Sequence, residues 1–221
     1  MCRRIIALNN AGVKHLQSGR YHEAILCFRH AMECLTSSAS VSHNEPTRMF
    51  ADEIVLCRTI LHDMEPSLSV AVSPHNMFEV YLSAFCLPKM HLNATDDSTE
   101  ISIVLFYNVG LAYQLWGLSG QQVTDACFSE ALSFYKLALM LFKSQTVTRL
   151  DSLSLVLGLL CNLGHVFSHF CRVHDAKSCG AMIEHILDSQ IAVQLEDEEA
   201  DFFCSTGACC ASLFYSPASA A

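Results

Sequence analysis

The sequence predicts a mainly α fold: an α-solenoid of three helix-turn-helix units, with a small β-hairpin insertion and a C-terminal capping helix. Three observations lead there. A bulky-x-Asn-small/apolar-Gly signature occurs as Leu8-Asn9-Asn10-Ala11-Gly12, as Phe106-Tyr107-Asn108-Val109-Gly110 and as Leu160-Cys161-Asn162-Leu163-Gly164. After each signature a second apolar helix carries Ala at set places: Ala24 and Ala31, Ala131 and Ala138, and Ala176. Between the first two copies, Ser67-Leu68-Ser69-Val70-Ala71-Val72-Ser73 alternates with the period of a strand.

The first unit spans residues 5–38. An apolar helix breaks at Ser18-Gly19-Arg20 and a second starts near Tyr21. Small residues (Gly12, Ala24, Ala31) stand where two helices must touch, and Leu8, Tyr21 and Phe28 fill the space between. Ala24-Phe28-Ala31 and Ala131-Tyr135-Ala138 share steps of four and three, which put each trio on one helix face. The second unit is 103–144. Gly12 to Ala24 and Gly164 to Ala176 are both 12 residues apart, whereas Gly110 to Ala131 is 21. The 9 extra residues are expected between the two helices, over 117–125. The third unit is 157–188, where Gly180 and Ile183 stand in place of a ring and an Ala.

Residues 39–99 are too long for a structureless loop in a compact domain. Pro46 can open a helix, and Phe50, Ile54, Cys57 and Leu61 then share a face, so a helix is expected up to Asp63-Met64-Glu65-Pro66. A β-hairpin is expected over 68–86, turning at Pro74-His75-Asn76, with Phe78, Val80, Leu82 and Ala84 on one face. Such a hairpin is barely stable alone and should pack on the helices. Asp97 and Glu100 give the next helix an acidic start. Leu195-Glu196-Asp197-Glu198-Glu199 does the same for a capping helix over 196–214. The whole of 1–221 reads as a single domain.

Composition narrows the function classes. The chain has 221 residues, 52% hydrophobic and 16% charged, with mean hydropathy +0.31. That argues against disorder and for a large buried fraction or a sticky surface. A net charge of −9 disfavours a nucleic-acid partner. Two stretches, 101–118 and 153–170, are apolar enough to suggest membrane spans. Each carries Asn and other polar groups, so each reads as a buried helix and no membrane partner is expected. The 12 cysteines are scattered singly, mostly at apolar helix slots such as Cys27, Cys34, Cys57, Cys127 and Cys161. With no signal peptide apparent, they read as reduced thiols in a cytoplasmic or nuclear chain.

Chemistry-bearing motifs are sparse. His165 and His169 lie one helical turn apart, with Cys161 a turn earlier. That is metal-ligand spacing, but no fourth donor is evident, and Val166 stands where a metalloprotease needs Glu. The plainer reading is two polar rings lining a groove. Vicinal Cys209-Cys210 lacks redox Cys-x-x-Cys spacing. There is no nucleophile elbow, phosphate loop or dinucleotide fingerprint. No cofactor and no catalytic residue are expected, and the chain reads as a non-enzyme. The alternative is a metal-binding or enzymatic all-α protein using the His165/His169 face.

The paired-helix pattern resembles the tetratricopeptide repeat, whose unit is about 34 residues. The C-terminal stretch, from Asp201-Phe202-Phe203 to the final alanines, is similar to that of uncharacterised repeat proteins from diatoms. The tetratricopeptide resemblance implies a protein-binding scaffold or adaptor that holds a peptide or partner helix on the inner face of its first helices. The matching residues are Asn9, Asn10 and Val13, then Tyr107, Asn108 and Leu111, then Asn162, His165 and His169. Members that grip chaperone tails use Lys and Arg there. This chain has neither on that face, which implies a mixed apolar groove instead. Two occupants stay open: an outside partner, or the chain's own hairpin or last helix. High apolar content also allows a subunit that folds only in a hetero-complex.

Overall fold

The computed structural model describes residues 2–39, 57–60, 78–87, 96–144, 153–189 and 195–214. The fold is mainly α. Among the described residues seven helices run in the order α1 (Cys2–Gln17), α2 (Tyr21–Ala39), α3 (Asp96–Leu118), α4 (Thr124–Ser144), α5 (Leu153–His169), α6 (Val173–Asp188) and α7 (Asp197–Phe214). Two short strands, β1 (Cys57–Ile60) and β2 (Ser83–Cys86), lie between α2 and α3. The chain forms two compact units. The first holds α1 to α4 with both strands, and the second holds residues 78–81 with α5, α6 and α7.

In the first unit the helices pair as α1 with α2 and α3 with α4. The α1–α2 corner is set by Gly19, whose φ of +66° an L side chain rarely adopts. It lets Arg20 N–H reach His15 O at 2.9 Å and Gly19 N–H reach Leu16 O at 2.9 Å, the paired bonds of a Schellman ending. Contact then depends on a small residue receiving a ring. A Cβ on Gly12 would lie 2.4 Å from Phe28, and one on Gly110 would lie 2.5 Å from Tyr135. Ala24, Ala31, Ala131 and Ala138 are fully buried, as their spacing requires. The α2–α3 junction adds Arg29 donating to the Tyr113 hydroxyl at 2.8 Å and His22 edge-on to Trp116.

The nine extra residues of the second pair are mostly helix, not linker. Three extend the end of α3, four extend the start of α4, and only two lengthen the turn. Ser98–Leu118 is long and apolar enough to cross a membrane, and 72% of that window is buried inside the protein. This is the burial of a core helix.

The second unit repeats the corner between α5 and α6. Arg172 N–H reaches Phe167 O at 2.8 Å and Cys171 N–H reaches Ser168 O at 3.0 Å. Here the left-handed position is Cys171, at φ 55°. The ring expected from α6 is supplied from elsewhere. Phe78 fills the place beside Gly164, where a Cβ would meet the ring at 2.4 Å, and Tyr81 fills the place beside Gly158 at 2.3 Å. α7 packs on α6 and α5.

The insertion departs from expectation in three ways. Cys57–Ile60 is a strand rather than part of a helix, and the rest of that expected helix lies outside the described residues. β2 pairs antiparallel with β1, Cys57 facing Cys86 and Ile60 facing Ser83. Residues 68–77, the expected first half of the hairpin, also lie outside the described residues. The buried set differs too. Tyr81, Ser83, Phe85 and Leu87 are buried, along with Phe78 and Ala84, while Leu82 is 36% exposed. Counting apolar residues favoured the even positions because Ser83 looks polar. Its neighbours Tyr81, Phe85 and Leu87 outweigh that one hydroxyl.

Candidate functional site

The three signature asparagines perform one task. Each presents its side-chain amide from the first helix of a pair to the main chain of an extended segment. An amide carries an acceptor and a donor side by side, so it can pair with the N–H and C=O of a single residue as a neighbouring strand would.

In the first unit that segment is residues 83–87. Asn108 on α3 accepts from Phe85 N–H at 3.0 Å and donates to Phe85 O at 2.8 Å. Asn10 on α1 accepts from Leu87 N–H at 2.9 Å and donates to Leu87 O at 2.8 Å. Asn9 ties the two helices together. It donates to Phe85 O at 3.0 Å and accepts from Asn108 at 2.9 Å, and its amide also donates to Asn10 at 3.1 Å. The Tyr107 hydroxyl donates to Ser83 O at 3.0 Å, and its ring meets Phe85 edge-on at 5.3 Å. In the second unit Asn162 on α5 repeats the clamp on Tyr81, accepting from its N–H at 2.8 Å and donating to its O at 3.2 Å.

In the first unit the held residues are 83, 85 and 87, all odd. Main-chain groups of successive strand residues point to opposite edges, so every second residue turns its N–H and C=O to the same side. One edge of the segment is therefore turned to the asparagines, and the other is available to β1. Asn9, Asn108 and Asn162 are fully buried, where each unmade bond would cost about 1–3 kcal/mol.

In the second unit an acidic latch stands beside Tyr81. Its hydroxyl hydrogen-bonds to the Glu199 carboxylate, and Ser154 donates to the other carboxylate oxygen at 2.9 Å. Glu199 lies in the first turn of α7, where the helix dipole favours a negative charge. Phe202 and Phe203 of α7 pack on the Tyr81 ring, with centroids 5.6 and 5.0 Å away.

The structure thus brings Asn9, Asn10, Tyr107 and Asn108 to one site and gives Asn162 an equivalent place in its own unit. Val13 and Leu111, expected on the inner face of the groove, are buried core residues. His165 and His169 part company. His165 is buried, and burial, reinforced by His169, holds its imidazole down at about 4. His169 is exposed and packs edge-on against Phe170. Among the described residues no three His, Cys, Asp or Glu side chains are grouped to hold a metal. Sequence reading missed Glu199, and it missed that the clamp acts on main chain. The one available signal was the Phe78, Tyr81 and Phe85 run within a strand-like stretch.

The clamping groups are amides and a phenol, each paired with main-chain N–H or C=O groups. Compared with models of protein families, with curated proteins and with solved structures, the chain has no match.

Proposed function

We propose that this chain is a non-enzymatic interaction module built as a tetratricopeptide-like solenoid, whose first helices hold an extended segment of protein by its main chain. The observation that supports this reading is the repeated two-bond asparagine clamp, on Phe85, Leu87 and Tyr81. A main-chain clamp tolerates many side-chain sequences, as strand-addition sites do. In the free chain the occupants are the chain's own residues 83–87 in the first unit and Tyr81 in the second, so a partner segment has to take one of those places. The role is that of a scaffold or adaptor in a cytoplasmic or nuclear setting.

Capture from the source cells tests the proposal. Wild type is compared with Phe85→Ala, which loosens the resident strand, and with Phe85→Ala/Asn108→Ala, which also removes a clamp. A specific partner enriched by the first change and lost with the second is the expected result. The same partners on all three forms would overturn the proposal.

A further inference from the structure

A main-chain clamp repeats every two residues, so by itself it accepts a strand equally well after a slip of two. Side chains break that degeneracy in the first unit. The Tyr107 hydroxyl donates to Ser83 O at 3.0 Å while its ring meets Phe85 edge-on, with centroids 5.3 Å apart. One side chain thereby reads the main chain at 83 and the aromatic ring at 85. Ser83, Ala84, Phe85 and Leu87 are buried, Ala84 completely, whereas Cys86 is half-buried and Leu82 is exposed. A longer side chain at 84 has to displace packed atoms. A slip of two carries either Leu87 or Ser83 into the place of Phe85 and forfeits the ring contact.

We propose that the first-unit clamp selects its partner by a five-residue pattern, small, small, aromatic, unrestricted, aliphatic, taken up in extended form at the places of Ser83 to Leu87. The inference rests on the main-chain clamp proposed above and names the class of segment that replaces the resident one. Bonds from Asn108 and Asn10 hold the main chain of any strand. The buried places decide which strand stays, as side-chain pockets do at strand-addition sites. The fourth place, that of half-buried Cys86, admits polar and charged residues whose heads reach water. No other stretch of the 221 residues has two of Gly, Ala or Ser followed by an aromatic and, two places on, by Leu, Ile or Val. Within the chain the resident segment therefore has no rival, and a challenger comes from another polypeptide.

The test has two arms. In the full chain, amide exchange at residues 85 and 87 is followed under native conditions. Ala84→Leu, Phe85→Ala and Leu87→Ala should each speed it roughly tenfold or more, while Leu82→Lys and Cys86→Lys should leave it within about twofold. In the second arm, a labelled peptide of residues 79–87 is titrated into the full-length Phe85→Ala chain, whose resident strand is loosened. The peptide should bind. Ala84→Leu, Phe85→Ala or Leu87→Ala in the peptide should weaken binding roughly tenfold or more, and Leu82→Lys or Cys86→Lys should not. Equal binding of all these peptides, lost when Asn108→Ala is added to the chain, would overturn the pattern and leave the clamp standing. Binding that survives Asn108→Ala would overturn clamp and pattern together. An unaltered peptide that does not bind would overturn the proposal, and so would exchange rates that ignore the buried places.

Discussion

Asn108 holds Phe85 by both of its main-chain groups, at 3.0 Å from the N–H and 2.8 Å from the C=O. The strand is thereby bonded to a helix side chain as it would be to another strand. Asn108→Ala leaves the Phe85 N–H and Asn9 Oδ1 without their partner, so unfolding stability of the first unit should fall by about 2–4 kcal/mol. Asn108→Asp is nearly isosteric but cannot donate. It faces Phe85 O and Asn9 Oδ1 with a second acceptor and should be no milder. Asn10→Ala should cost less, because Asn10 is only half-buried and water can replace the amide. Denaturant midpoints of the three variants check this order.

The ring-on-glycine contacts predict opposite signs for two glycine substitutions. Gly110→Ala sets a Cβ 2.5 Å from a Tyr135 ring atom in a packed core, and overpacking of this kind costs about 1–3 kcal/mol. Gly207→Ala meets nothing closer than Glu184 Cγ at 3.6 Å and should stabilise α7 by up to about 1 kcal/mol. Thermal melting of each variant gives the sign directly.

Cys171 occupies the left-handed position that Gly19 takes in the matching turn. Cys171→Gly relieves that strain and should raise stability by roughly 0.5–1 kcal/mol, even though glycine loosens the unfolded chain. Gly19→Ala should lose a similar amount in the first unit. Chemical denaturation of both variants tests the pair.

His165 gives the second unit a pH dependence. Its folded pKa is about 4, below the ordinary 6.5, because burial first and His169 second disfavour the charged ring. The unfolded chain therefore binds the extra proton between those values. Stability is full above pH 6.5 and falls as pH drops toward 4, by roughly 3 kcal/mol in all. His165→Gln should flatten that slope in urea midpoints recorded across the range.

Much of the helical scaffold was legible because packing writes a spacing. Gly12, Ala24 and Phe28 had to sit where they do for two helices to approach, and the same steps located Gly110, Ala131 and Tyr135. The asparagines were visible as a repeated polar set. Their target was not, because an amide clamp reads main chain, and main chain leaves no signature in the held residues. The third pair looked degenerate at Gly180 because the ring that its partner glycine receives, Phe78, lies some hundred positions earlier in the sequence. No local period can report a contact of that range. The strand at Cys57–Ile60 was masked in the same way, since its apolar residues also fit a helix face and only its pairing with β2 decides between them.

The central claim is that asparagine amides hold the chain's own strand by its main chain. Scalar coupling across hydrogen bonds in isotopically labelled protein tests it most directly. A correlation from the Phe85 amide nitrogen to the side-chain carbonyl carbon of Asn108 is the expected result, with its counterpart from Leu87 to Asn10. A Phe85 amide coupled instead to a backbone carbonyl, with no link to Asn108, would contradict the account.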